Sequence, residues 1–227
     1  MASYDIINIQ KYVKTPFQIV IPEKKDFTKY LINRAFKTPT HIGIKENRIY
    51  KPLETKIVQD ILNLYTPNAN TIIIDYNTNY YFSLMIAKQN FDVIYINICQ
   101  RYNKFLNMSK IINNITFQSL NTRFKINKIV KKKFVPLLIV NDVVDITNSK
   151  RILNNNLHNI LIIRDEIDDT IDVYKDLLAR SFNLYKIKKH LELITDIDSF
   201  LQYDDSTSIL AIAPGSKYKQ YSVVFFD

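Results

Sequence analysis

From Thr71 onward, short apolar runs rich in β-branched residues alternate with longer stretches of helical spacing. Thr71 to Asp75 (TIIID), Asp92 to Ile98 (DVIYINI), Val135 to Val140 and Asn159 to Ile163 read as strands. Most are apolar throughout, as strands covered on both faces are. Ile115 to Gln118 is a weaker strand, and Leu184 to Ile187, Ser208 to Ala213 and Tyr221 to Phe226 complete the set. Between them, Tyr80 to Gln89, Tyr102 to Ile112 and Thr170 to Ser181 carry helical patterns. Alternating strands and helices predict βαβ units with right-handed crossovers and a mostly parallel sheet. Pro214-Gly215-Ser216 marks a turn before the last strand, so the sheet is expected to end in an antiparallel hairpin.

Residues 1–66 show no long period. Asp26 to Phe36 has helical spacing and ends before Pro39, and Leu53 to Tyr65 carries the stripe Ile57, Ile61, Leu62, Tyr65 ahead of Pro67. The expected organisation is an N-terminal extension, 1–66, packed on a core domain, 67–227. A chain of 227 residues suffices for one sizeable core.

Composition adds origin and charge. The chain has 2 glycines and no tryptophan, with Ile, Asn, Lys, Tyr and Phe abundant. The abundant residues have AT-rich codons, which implies a biased genome such as that of a large DNA virus or a parasite. No apolar run is long enough to span a bilayer, and the opening MASYDIINIQKYVK lacks the order of a secretory signal. The expectation is an intracellular protein, cytoplasmic or in a virion. The single Cys99 allows no internal disulfide, and three histidines without a Cys/His pattern give no zinc site. The acidic run Asp165, Glu166, Asp168, Asp169 reads as a solvated helix start rather than a metal site. The net charge of +9 includes two clusters, Lys128 with Lys131, Lys132 and Lys133, and Lys186, Lys188, Lys189 and His190. A polyanionic partner such as RNA would use them only if they share one face, the first cluster being the candidate contact.

In a doubly wound sheet the ligand lies beyond the carboxyl ends of the strands, so the loop after the first strand is the place to look. It reads Asp75-Tyr76-Asn77-Thr78-Asn79-Tyr80-Tyr81-Phe82-Ser83. This resembles the first motif of FkbM-type S-adenosylmethionine-dependent methyltransferases, D-x-G-A-N-x-G followed by an aromatic and a small hydroxyl residue. Asp75 and Asn79 match; Asn77 stands at the first glycine and Tyr80 or Tyr81 at the second. Asn97 ends the second strand where the family has an acidic residue for the cofactor ribose. Lys110 to Thr116 resembles the family's L-x-x-N-x-x-x-N-x-(I/V)-T stretch. Leu138 to Asp145 aligns with the I-K-I-D-V-E-G box, of whose polar residues only Asp142 persists. The resemblance covers about residues 55–213 and implies a Rossmann-type methyltransferase fold, with Asp75, Asn77, Asn79, Asn97 and Asp142 as a vestigial S-adenosylmethionine site.

Glycine in such a loop permits positive φ and close approach to a ligand; a tyrosine there intrudes. Loss of the acid at Asn97 removes a grip worth roughly 1.5–3 kcal/mol. The expected function is therefore that of a non-catalytic binding or assembly protein without cofactor, acting on a protein partner. The alternatives are a divergent active O-methyltransferase and an RNA-binding relative of cap methyltransferases. Tyr76, Tyr80, Tyr81 and Phe82 are expected to pack the site shut.

Overall fold

The computed structural model describes residues 4–22, 44–45, 47–76, 79–96, 103–121, 129–130, 133–141, 146, 157–164, 171–203 and 207–218. The strands are β1 (Tyr4–Ile9), β2 (Phe17–Pro22), β3 (Ile72–Asp75), β4 (Asp92–Ile96), β5 (Gln118–Leu120), β6 (Leu138–Val140), β7 (Asn159–Ile162), β8 (Asn183–Ile187), β9 (Leu191–Leu193) and β10 (Ile209–Ile212). The helices are α1 (Pro52–Asn63), α2 (Tyr81–Ala87), α3 (Asn103–Asn113), α4 (Ile171–Ala179) and α5 (Ile197–Tyr203). The helix expected over 26–36 and the strand over 221–226 lie outside the described residues.

Among the described residues, eight strands form one sheet in the order β5-β4-β3-β6-β7-β10-β8-β9. β5, β4, β3, β6 and β7 are parallel; β10 runs antiparallel to both β7 and β8. β8 is therefore parallel to β7, and β9 returns antiparallel at the edge. The order reverses beside β3, which places the switch point at Asp75. Strands β3, β6, β7 and β10 bury every residue, and one core lies on each side of them.

β1 and β2 form a separate antiparallel ribbon that the sequence reading did not find. Ile7, Ile9, Phe17, Ile19 and Ile21 pack in the core on the α1–α2–α3 side. The free edge of β2 is satisfied by α3. Gln18 N–H donates to Asn113 Oδ1 at 2.8 Å, Asn113 Nδ2 donates to the Gln18 carbonyl at 2.6 Å, and Val20 N–H donates to Ser109 Oγ at 2.9 Å. Two polar side chains of a helix thus stand in for a missing strand.

Other departures have local causes. β5 begins after Phe117 because Asn114, at φ 51°, ends α3 in the left-handed region and Lys110 Nζ takes the Phe117 carbonyl at 2.9 Å. β6 begins after Pro136, which lacks the N–H a ladder needs; Phe134 and Val135 make only isolated bridges to Thr71 and Leu157. With glycine scarce, Asn90, Asn114 and Ser181 supply the left-handed residues after α2, α3 and α4.

Candidate functional site

The parallel strands deliver Asp75, Asn141 and Arg164 to one end of the sheet, at the carboxyl ends of β3, β6 and β7. Asp75 has no exposed surface, and Ser83, on the first turn of α2, donates its hydroxyl to Asp75 Oδ2 at 2.6 Å. The motif's hydroxyl residue thus bonds the motif's carboxylate, a link the spacing of the two residues does not reveal. Asn79 is also buried, and its Oδ1 accepts the Tyr81 N–H at 3.0 Å, a turn that starts α2. Asn77, Asn97 and Asp142 lie outside the described residues, as does the acidic run at 165–169. Of the candidate cofactor residues, the structure brings Asp75 and Asn79 to the two sides of one short loop.

All seven residues of α2 are buried. The Tyr80 hydroxyl donates to the Val20 carbonyl in β2. The Tyr81 ring stands edge-on to Phe17 at 5.3 Å, to Tyr50 at 5.7 Å and to Phe82 at 5.4 Å between centroids. Burial pushes the Tyr81 hydroxyl up to about 12, against smaller opposing effects of Thr55 and the Tyr50 backbone. Both tyrosines that could occupy the second glycine position therefore face the β1–β2 side. Tyr76 packs in the core on the opposite side of the sheet. The N-terminal ribbon, Tyr80 and α2 pack in one core.

Lys133 precedes β6 at the amino ends of the strands, where its ammonium donates to the Ala69 carbonyl. Lys128, Lys131 and Lys132 lie outside the described residues. Lys186, Lys188 and His190 surround Glu192 across the β8–β9 turn, at 3.0, 3.5 and 3.3 Å, at the carboxyl end of β8. Lys186 and then Lys188 hold the Glu192 carboxyl below its usual range. Lys133 and the β8–β9 turn sit at opposite ends of the strands, so these two do not share the face that RNA binding through both clusters would require.

A second polar group occupies the amino end. Tyr65 Oη lies 2.9 Å from His158 Nδ1, in a bond whose direction the imidazole tautomer sets, and accepts the Lys217 N–H at 3.3 Å. Burial and the Lys217 charge hold the His158 imidazole below its ordinary value. Sequence reading had no signal for this group, whose members are far apart in the chain. Among the described residues no set of three His, Cys, Asp or Glu side chains is arranged to hold a metal ion, and no helix is long and apolar enough to cross a membrane.

No family model and no curated protein matches the chain. Solved structures do. A rRNA methylase from Streptococcus thermophilus superposes with a TM-score of 0.50 at 9% identity, covering 73% of this chain and 98% of that one. The T. thermophilus 16S rRNA N2 G1207 methyltransferase, solved with AdoMet and guanosine, gives 0.51 at 8% identity, covering 92% of this chain and 50% of that one. This chain thus spans half the length of the second protein. Strand order, mixed sheet and these superpositions agree: the chain has a Rossmann-type methyltransferase fold.

Proposed function

We propose that this chain is a non-catalytic methyltransferase-fold protein, a degenerate relative of the FkbM type, that works as a binding or assembly protein. The observation that carries this reading is the fully buried Asp75 carboxylate, whose Oδ2 accepts the Ser83 hydroxyl at 2.6 Å. The Asp75 carboxylate, with no accessible surface, and Asn79 Oδ1, which accepts the Tyr81 N–H, both bond within the fold, which supports a structural role for them. Tyr80 and the aromatic residues of α2 pack against the ribbon, which supports a rigid core element rather than a cofactor cradle. The sequence adds the missing glycines and the missing acid at Asn97. Titration of the full chain with S-adenosylmethionine tests the reading: no binding is expected up to millimolar concentration, and micromolar binding would overturn it.

The second reading is a divergent S-adenosylmethionine-dependent methyltransferase whose site retains Asp75, Asn77, Asn79, Asn97 and Asp142. It draws support from the fold shared with a protein solved with AdoMet. The names of both superposed structures make RNA the acceptor to try first, with a sugar hydroxyl next on the FkbM resemblance. Transfer of a labelled methyl group that disappears in folded Asp75→Ala would establish it.

A further inference from the structure

The turn that leaves β10 folds back onto Tyr65, just past α1, and onto the start of β7. Ser216 N–H donates to the Ala213 carbonyl at 3.0 Å, the Ser216 hydroxyl donates to Asn159 Oδ1 at 2.8 Å, and the Tyr218 N–H donates to that hydroxyl at 3.0 Å. The Tyr218 ring is buried. A further bond holds the turn: the Lys217 N–H donates to Tyr65 Oη at 3.3 Å, and that oxygen lies 2.9 Å from His158 Nδ1. The other imidazole nitrogen meets the same turn, since a Cβ on Gly215 would stand 3.8 Å from Nε2. Phe134 is edge-on to the imidazole at 4.6 Å, and the Lys217 ammonium lies 5.4 Å from the Tyr65 ring centroid. Lys133, beside Phe134, has its ammonium on the Ala69 carbonyl, and Asp60 on α1 is paired with Lys56 and faces Tyr218. Among the described residues Lys217 is thus the charge that acts on the imidazole, and no carboxylate offsets it.

We propose that Tyr65, His158 and Lys217 form a latch that acid opens, releasing residues 214–218 from the amino end of the sheet. Protonation fixes Nδ1 as a donor, so Tyr65 Oη takes the Nδ1 and Lys217 protons together and turns its own proton away. It also places a positive charge on a half-buried ring beside the Lys217 ammonium. Lifting the turn relieves both, because it hydrates the ring and carries Lys217 away. A short segment of this kind opens at less cost than the sheet. By linkage, the open population rises up to about tenfold one pH unit below the ordinary imidazole value. The inference does not depend on whether the chain binds a cofactor.

Amide exchange of the full chain between about pH 7.5 and 5.5, corrected for the intrinsic pH dependence of exchange, tests the latch. Protection of the Ser216, Lys217 and Tyr218 amides is expected to fall about three- to tenfold in wild type, with β3, β6 and β7 unchanged, and to stay level in His158→Gln. Nuclear magnetic resonance of the His158 ring adds a check that needs no variant: in wild type it is expected to titrate below 6.5. Three results would overturn the latch: protection at 216–218 that does not vary with pH, a folded His158→Gln protein with the wild-type profile, or a His158 ring that titrates at or above its ordinary value.

Discussion

Replacing Asn113 by alanine tests how the N-terminal ribbon is held to the domain. The side chain is buried and makes both bonds to the Gln18 main chain, at 2.8 Å to the N–H and 2.6 Å to the carbonyl. Its removal leaves two backbone groups of β2 without partners. A buried unsatisfied group costs about 1–3 kcal/mol. Gln18 is half-buried, so the low end applies to each group, and the sum is about 2 kcal/mol. Alanine's better helix propensity returns roughly 0.5 kcal/mol. A net loss of about 1.5–2 kcal/mol lowers Tm by roughly 3–8 °C in a chain of this size. Urea denaturation gives the free energy, and amide hydrogen exchange locates it: residues 17–22 are expected to exchange faster while β3, β6 and β7 keep their protection. A variant within about 0.5 kcal/mol of wild type, with unchanged exchange across 17–22, would refute the claim that α3 substitutes for a strand.

Two further perturbations bear on the polar groups inside the fold. Ser83→Ala takes a donor from a fully buried carboxylate and is expected to cost about 1.5–3 kcal/mol in urea unfolding; a neutral effect would mean that Asp75 does not need Ser83. His158 titrates below its unfolded value of 6.5, so the unfolded chain takes up the proton first. Its contribution is complete above that value and declines as the pH falls below it. Between about pH 7 and 5.5 the urea midpoint of wild type should fall more steeply than that of His158→Gln, and parallel profiles would exclude the imidazole as the source.

Much of the sheet was legible because β3, β6 and β7 are buried on both faces and so appear as unbroken apolar runs. The ribbon was not. Ile6 is exposed in β1, and β2 buries Val20 as fully as Ile19 and Ile21, so the alternation that marks a half-buried strand is lost, and the partner that satisfies β2 is a pair of helical side chains about ninety residues away. Pro136 and Asn114 moved strand starts by rules visible in the sequence, since one removes a donor and the other can take up left-handed geometry. β9 and α5 are too short to show a period. At the candidate site the motif located Asp75, but its bond to Ser83 and the packing of Tyr81 on Phe17 and Tyr50 are made only by the fold. Of the lysine clusters, Lys133 and the β8–β9 turn stand at opposite ends of the strands, a separation that their similar sequence patterns do not show.

Calorimetric titration of the purified full chain with S-adenosylmethionine is the most direct test of a closed, non-catalytic site. The expected result is no saturable heat up to millimolar ligand, with Asp75→Ala and wild type indistinguishable. Saturable micromolar binding that is lost in a folded Asp75→Ala protein would contradict it, because the buried carboxylate would then have to open toward the cofactor.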